Sequence, residues 1–162
     1  MEKPWNLPEY KRRWGDVCAI MPAYLDNGVN GTEVTYLDGK VEQVGHRLVW
    51  VLDDLLGYLR SSKTILSKQS CRVLYGKDCE GRRVPLVLSP RFNLVPVKGR
   101  EARGHDDQMG YLVLYHMNTF MPSEKGTVVQ FKSEVSIDVY DSTPTFSNNV
   151  KKTQRVVLEM CA

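Results

Sequence analysis

Short hydrophobic runs separated by turn residues fill the first quarter of the chain. Residues 16–22 form an apolar run that ends in proline, and residues 32–36 are β-branched and aromatic, so both predict strands. Between them, residues 26–31 contain two Asn-Gly pairs and predict a turn. The Asp38–Gly39 pair is typical of a tight turn, so residues 40–44 are expected to return as the second arm of a hairpin.

A helical repeat replaces these runs in the next segment. Apolar side chains recur at intervals of three and four residues between Leu48 and Leu59, with Asp53 among the polar positions between them. This spacing predicts an amphipathic helix. A second helix is predicted over residues 63–74, and it is expected to stop before Gly76.

The second half of the chain returns to short hydrophobic runs, several of them bounded by proline. Strands are predicted over residues 84–88, 93–97, 109–117, 127–131, 134–140 and 153–160. Residues 98–108 and 141–149 are expected to be loops. The fold class is therefore α+β, a mostly antiparallel β-sheet with about two inserted helices. We expect a single compact domain over residues 15–162, preceded by a loosely ordered segment at residues 1–14.

Charge is distributed unevenly along the chain. The formal net charge is only +3, but residues 60–103 hold 11 basic and 3 acidic side chains, a balance of +8. The remaining residues carry 11 basic and 16 acidic side chains, a balance of −5. Such asymmetry is typical of proteins with a polyanionic partner. The alternative is that folding disperses these cations among carboxylates from elsewhere in the chain.

The cysteines and the apolar segments bear on where the protein works. Four cysteines, Cys18, Cys71, Cys79 and Cys161, show no C-x-x-C spacing, and no signal-peptide pattern precedes them. The longest apolar stretch, residues 48–59, is too short to span a bilayer. We therefore expect a cytoplasmic protein with reduced thiols and no membrane association.

The chain lacks the spacings that are typical of catalytic and cofactor sites. Residues 76–83 have the glycine spacing of a phosphate loop but lack its Lys-Ser/Thr pair, so no nucleotide site is expected. Residues 105–107 are better explained as a solvated loop than as a metal site. Cys71 with His105 or His116 is the remaining candidate for nucleophilic catalysis, and nothing local to these residues indicates an activated thiol. We expect no enzymatic activity, no cofactor and no metal.

The central basic segment is the strongest candidate for chemistry. Binding to a nucleic-acid backbone needs long cationic side chains on one surface, because each neutralised phosphate releases counterions. The narrow minor groove of A/T-rich DNA carries a strongly negative potential, which suits arginine on a tight turn or a mobile loop. The candidate DNA-binding residues are Lys68, Arg72, Lys77, Arg82, Arg83, Arg91, Lys98, Arg100 and Arg103.

The most distinctive sequence pattern lies between residues 70 and 83. A Ser-Cys pair is followed by Tyr-Gly, a four-residue turn and Gly-Arg-Arg, and this pattern resembles the signature of the ComK family of competence transcription factors. Shorter similarities occur at residues 17–22, 86–90, 92–96, 110–111, 116, 128–131, 137, 146 and 148–155. The resemblance therefore spans residues 17–158. The chain departs from the family where Val-Pro-Val at 95–97 replaces Phe-Pro-Thr, and where Tyr111 replaces a tryptophan.

The resemblance implies a bacterial transcription activator of DNA-uptake genes. Such a protein binds paired A/T-rich boxes in double-stranded DNA, largely through the minor groove, and works in the cytoplasm at the nucleoid. It forms a homodimer or higher oligomer, is controlled by adaptor-guided proteolysis and needs no cofactor. An alternative stays open, a degenerate ComK-like interaction module that sequesters a regulator without binding DNA. The acidic flanks and a C-terminus shorter than that of longer family members favour this alternative.

Overall fold

A six-stranded antiparallel sheet forms the centre of the fold. The structure, a computed structural model, describes residues 6–79, 82–101 and 108–161. The strands of this central sheet lie in the order β3-β2-β1-β6-β5-β4. They are β1 (Val17–Tyr24), β2 (Asn30–Tyr36), β3 (Val41–Val44), β4 (Leu86–Ser89), β5 (Phe92–Lys98) and β6 (Met109–Val113). Pairing of β1 with β6 joins the two halves of the sheet, with Ala19 opposite Leu112.

A second sheet and four helices complete the architecture within the described residues. The second sheet is antiparallel and three-stranded, with β7 (Met117–Pro122), β8 (Thr127–Phe131) and β9 (Ser136–Val139) in that order. The helices are α1 (Glu9–Arg12), α2 (Leu48–Tyr58), α3 (Lys63–Tyr75) and α4 (Thr143–Met160). None of the helices in these parts of the chain is both long and apolar enough to cross a membrane.

Two hydrophobic cores lie on opposite faces of the central sheet. On one face, the leucines of α2 pack with strand residues such as Ile20 and Phe92. On the other face, Phe131 of β8 and Phe146 of α4 pack against strand residues such as Leu112. Each buried side chain of this size contributes roughly 1.5–3 kcal/mol relative to exposure, so these two cores hold the layers together. Helices α1 to α3 therefore cover one face, and the second sheet with α4 covers the other.

The predicted fold class is confirmed, because the helices combine with two antiparallel sheets in one α+β arrangement. Predicted strands at 32–36 and 40–44 correspond to β2 and β3, joined through a turn in which Gly39 has φ +90°. The two helices predicted between residues 48 and 74 correspond to α2 and α3.

The predictions for residues 141–149 and 153–160 were wrong. A loop at 141–149 and a strand at 153–160 were expected, but the helix α4 occupies Thr143–Met160. The Ser142 side chain caps this helix by accepting a hydrogen bond from the Thr145 amide. Its buried positions, Phe146, Val150, Thr153 and Val156, recur at helical spacing, and this pattern outweighs the strand propensity of the Val156–Val157 pair.

The predicted strand at 109–117 is divided in two. Strand β6 ends at Val113, and a 3₁₀ turn at Leu114–His116 leads into β7. The turn moves the chain from the central sheet to the second sheet. His116 is buried within it, and its Nε2 lies 2.7 Å from the Gly15 carbonyl oxygen.

The segment predicted to be loosely ordered, residues 1–14, lies partly outside the described residues, at 1–5. Its remaining residues contain α1, which packs on α2. Tyr10 is buried and its hydroxyl donates a hydrogen bond of 2.5 Å to Asp54. Lys11 also forms an ion pair with Asp54 at 3.0 Å. Residues 8–14 are therefore attached to the helical layer.

Candidate nucleic-acid interface

A groove lined by cationic side chains runs along the first three turns of α3. It has a volume of about 530 Å³ and lies between α3, residues 78–79 and 82–84, and the start of β6. Four cations line it, Lys63, Lys68, Arg82 and Arg83, and we call this site the basic groove. Asp78 is the one carboxylate among the described residues that line it.

Local signals at both ends of α3 build one wall of the basic groove. Ser62 caps the helix, since its side-chain oxygen accepts a hydrogen bond of 3.1 Å from the Ile65 amide. Gly76 ends the helix in the left-handed conformation, with φ +71°, which most other residues adopt only at a cost. The chain then reverses and runs back toward α3, where Cys79 is joined to Cys71 by a disulfide, with their Cα atoms 5.5 Å apart.

The disulfide overturns the expectation of reduced thiols for Cys71 and Cys79. Nothing in a separation of eight residues indicates this bond, since it depends on the helix ending at Gly76 and the chain folding back. Cys18 and Cys161 are free cysteines. Cys18 is buried in the core, and burial raises the pKa of its thiol to about 12.

A backbone hydrogen bond links Cys79 of the disulfide to Arg82. The Arg82 amide donates a hydrogen bond of 3.1 Å to the Cys79 carbonyl oxygen. The Arg82 guanidinium lies over the ring of Tyr75, 4.6 Å from its centroid. These contacts place Arg82 at the junction between the reversed chain and the end of α3.

Lys152 of α4 joins this cluster from a distant part of the sequence. Its Nζ donates a hydrogen bond of 3.3 Å to the Tyr75 hydroxyl. This bond is the main reason that the pKa of Tyr75 lies below its ordinary value, and Arg82 adds to the effect. Lys152 was not among the predicted site residues, because it lies outside the basic segment 60–103 from which they were drawn. The helical spacing of Phe146, Val150 and Thr153 was the signal that could have located it.

Five of the predicted residues lie at or beside the basic groove. Lys68 and Arg72 are one turn apart on the same face of α3, and Lys77 follows the glycine that ends the helix. Arg82 and Arg83 line the groove itself. All five side chains are exposed. The ion pairs formed between described residues involve other cations, so no described carboxylate lies within 4 Å of these five.

Two further predicted residues lie elsewhere on the central sheet. Arg91 is exposed at the turn between β4 and β5, with its guanidinium 6.0 Å from the ring centroid of Tyr115. Lys98 ends β5 at the other end of that strand and forms an ion pair of 3.3 Å with Glu101. Neither residue lines the basic groove, so the structure does not bring them together with the five.

Arg100 is not placed as a DNA contact requires. It is only 8% exposed, its guanidinium lies 4.2 Å from the ring centroid of Tyr24, and it donates a hydrogen bond of 2.5 Å to Asn30. Such burial leaves little of the guanidinium for a phosphate, so the structure does not support the prediction for Arg100. Arg103 lies outside the described residues.

The alternative chemistries find little support in this geometry. Cys71 has no free thiol, so the proposed pairing with His116 has no nucleophile in this state. The other proposed partner, His105, and the whole 105–107 stretch lie outside the described residues. Within the described ranges, no group of three or more histidine, cysteine, aspartate or glutamate residues could hold a metal ion.

Comparisons of the chain with protein-family models, with curated proteins and with solved structures give no match. The similarity to ComK therefore depends on the residues quoted above. Function is best inferred from the basic groove itself, from its cations and from their freedom from carboxylate partners.

Proposed function

We propose that the chain is a sequence-specific transcription regulator that binds double-stranded DNA through the basic groove. The single observation that carries the proposal is the cluster of five exposed cations at α3 and the segment after it, none of them within 4 Å of a described carboxylate. A surface of this kind offers its charge to phosphates, because it gives up no internal ion pair on binding. The ComK-like pattern at residues 70–83 covers the same part of the chain.

The arrangement suits a narrow minor groove flanked by two phosphate backbones. Lys68 and Arg72 lie on a rigid helix, where phosphate contacts set the position of the protein on the duplex. Arg82 and Arg83 lie on a tight segment beside it, and arginine on such a segment suits the negative potential of A/T-rich sequence. We therefore assign backbone positioning to the helix and minor-groove contact to the arginine pair.

The resemblance adds the finer parts of the proposal. The target is paired A/T-rich promoter boxes, as in ComK proteins, and paired boxes call for a homodimer or higher oligomer because two copies of one site must be presented. The location is the bacterial cytoplasm at the nucleoid, a proteolytic adaptor controls the amount of protein, and no cofactor takes part.

A salt titration with a matched variant tests this proposal. Replacing Arg82 and Arg83 with alanine should weaken binding to an A/T-box duplex by about tenfold or more, since each lost charged hydrogen bond removes roughly 1.5–3 kcal/mol. The slope of log affinity against log salt should fall by about 2. Fluorescence anisotropy from low to physiological salt, beside a G/C-rich duplex, measures both quantities.

The control removes the same charge elsewhere. Arg12 and Lys125 are exposed and do not line the basic groove, so the Arg12→Ala/Lys125→Ala variant should bind as the parent does. Equal binding by the Arg82→Ala/Arg83→Ala variant and the parent would show that this arginine pair is wrongly assigned. A parent protein that shifts neither duplex at low salt would contradict the DNA-binding function as a whole.

A second candidate function is the interaction module that sequesters a regulator. The outer face of α2 favours it, because Trp50 is 48% exposed and stacks on His46 at 3.9 Å between ring centroids. Val49 and Tyr58 of the same helix are also exposed. This function predicts no duplex binding at low salt and tight capture of a protein partner that a Trp50→Ala change releases.

A further inference from the structure

We propose that the Cys71–Cys79 disulfide is a redox switch for the basic groove, with the oxidised form competent to bind polyanions and the reduced form impaired. This inference rests on the proposed DNA-binding function and adds its regulation. Both cysteines line the groove together with Arg82 and Arg83, so the bond lies inside the site whose shape it would control.

The disulfide is the covalent support for the wall of the groove that carries the arginines. It closes the chain between Cys71 on α3 and Cys79 on the reversed segment, and the Cys79 carbonyl accepts the hydrogen bond from the Arg82 amide. The disulfide therefore holds Cys79 close to α3, and the hydrogen bond from the Arg82 amide to Cys79 holds Arg82 there as well. The contact of Arg82 with Tyr75 adds a second, non-covalent support.

Among the described residues, a small apolar cluster adds the remaining support for this wall. Cys71, Cys79 and Val84 form a small cluster with Tyr75 at its edge, separate from the two main cores. A segment with few buried apolar contacts opens at a lower free energy than the core does. Once the disulfide is broken, this small cluster and the Arg82 contacts are the supports that remain among the described residues.

Firm attachments on both sides limit the change to the groove. The buried Ser70 hydroxyl donates a hydrogen bond of 2.5 Å to the Pro85 carbonyl oxygen, which ties α3 to the start of β4. The Gly76 amide donates a hydrogen bond of 2.9 Å to the Arg72 carbonyl oxygen, which fixes the start of the reversed segment to the end of α3. Reduction should therefore loosen the described residues between Gly76 and Val84 and leave the sheet and α3 in place.

The chemistry is a thiol–disulfide exchange with a dithiol reductant. One thiolate of the reductant attacks the sulfur of Cys79, which is the more exposed of the two residues at 9% against 4%, and Cys71 leaves as the thiolate. The second thiol of the reductant then releases Cys79. The Sγ–Sγ bond breaks, both cysteines gain a proton, and the two electrons come from the dithiol, which becomes a disulfide. The cationic lining stabilises the leaving thiolate and favours the exchange.

The proposed cytoplasmic location favours a regulatory role for this disulfide. Disulfides in cytoplasmic proteins of mesophiles, where they occur, are usually transient and serve catalysis or redox sensing. A bond that lines a polyanion site is well placed for the second of these roles, because its state can set the affinity of that site.

The test compares one protein in two redox states. The full chain is bound to the A/T-box duplex as purified, after reduction with dithiothreitol, and after reoxidation. Alkylation with iodoacetamide, followed by mass spectrometry, counts the thiols in each state, and far-UV circular dichroism shows that the fold is retained. We expect two additional alkylated cysteines on reduction, at least tenfold weaker binding, and recovery of affinity on reoxidation.

Two variants serve as controls. Cys71→Ala/Cys79→Ala should bind as weakly as the reduced parent and should not respond to dithiothreitol. Cys161→Ala removes the partly exposed free thiol and should keep the full redox response. If the double variant does not fold, the reversible cycle of the parent protein decides the question.

Each outcome has one meaning. Reduced protein that is folded, carries the two new thiols and binds within twofold of the oxidised form, or more tightly, overturns the switch and leaves the DNA-binding function standing. Absence of duplex binding in every redox state overturns the DNA-binding function and the switch with it. Absence of additional alkylation on reduction also overturns the switch, because the protein then holds no disulfide that a dithiol can open.

Discussion

The role of a single residue in this protein depends on how far its side chain is buried. Cations of the same sequence segment have opposite fates, since Arg82 is exposed in the basic groove whereas Arg100 is buried against Tyr24. The polar residues of the interior have hydrogen-bond partners such as the one that Ser70 finds in the Pro85 carbonyl. Two predictions concern buried side chains of this kind.

The first prediction concerns Cys18 and alkaline pH. Burial raises the pKa of the Cys18 thiol from 9.0 to about 12, so above pH 9 the unfolded chain releases a proton that the folded chain retains. Stability from this group is complete below pH 9 and is lost as the pH rises toward 12. Between pH 8 and pH 10 the parent should lose about 1 kcal/mol more than Cys18→Ala, measured by urea unfolding at each pH. Equal slopes for the parent and Cys18→Ala would contradict the assignment.

The second prediction concerns Ser70. Replacing it with alanine leaves the buried Pro85 carbonyl without its partner, so the free energy of unfolding should fall by about 1–3 kcal/mol. The same change at Ser67, a partly exposed residue of the same helix that lines the basic groove, should alter stability by less than about 0.5 kcal/mol. Denaturant midpoints of the two variants measure the difference, and equal midpoints would show that the Ser70 bond adds nothing.

Elements of the fold differ in how much their own residues determine them. Helices α2 and α3 follow from their apolar spacing and, for α3, from a serine cap and a glycine end. Helix α4 begins in the same way, with Ser142 as its cap and Pro144 in its first turn. It also contains Val150, Thr153 and the Val156–Val157 pair, β-branched residues that suit a strand equally well, so packing against the sheet decides its conformation.

A cap variant tests the start of α4. Ser142→Ala removes the hydrogen bond from the Thr145 amide and should lower the free energy of unfolding by about 1 kcal/mol. Ser147→Ala lies inside the same helix, where alanine is the better helix former, and should be neutral or slightly stabilising. Urea unfolding distinguishes the two, and a neutral result for Ser142→Ala would contradict the assigned cap.

The whole molecule brings together cations that are distant in the sequence. Two cations lie over the Tyr75 ring. Arg82 comes from the segment after α3, and Lys152 comes from α4, near the C-terminal end of the sequence. Lys152 therefore adds a positive charge to the cluster from a helix that lies outside the basic segment 60–103. The cluster of cations around Tyr75 is a product of the packing of α3 on α4.

This juxtaposition yields a prediction for DNA binding. Lys152→Ala should weaken duplex binding and reduce the salt slope by about 1, because Lys152 adds one cation beside the basic groove. Lys151→Ala removes an exposed neighbouring charge that has no contact with Tyr75, and it should leave the slope unchanged. Anisotropy titrations of the two variants decide between them, and equal slopes would place Lys152 outside the interface.

Local patterns in the sequence were sufficient for part of this picture. The turn at Asp38–Gly39, the helices α2 and α3 and most strands were predictable, because each depends on neighbouring side chains and backbone preferences. The excess of cations in residues 60–103 was equally visible without a structure. These are properties of the chain over distances of a few residues.

Contacts that form only on folding decided the features that these local patterns do not predict. The pairing of β1 with β6, the helical state of α4, the Cys71–Cys79 bond and the burial of Arg100 each require segments that meet only after folding. Lys152 reaches Tyr75 for the same reason. The sequence determined that the protein carries a cationic centre, and the tertiary structure decided which cations share one groove, since burial and packing are set by the whole fold.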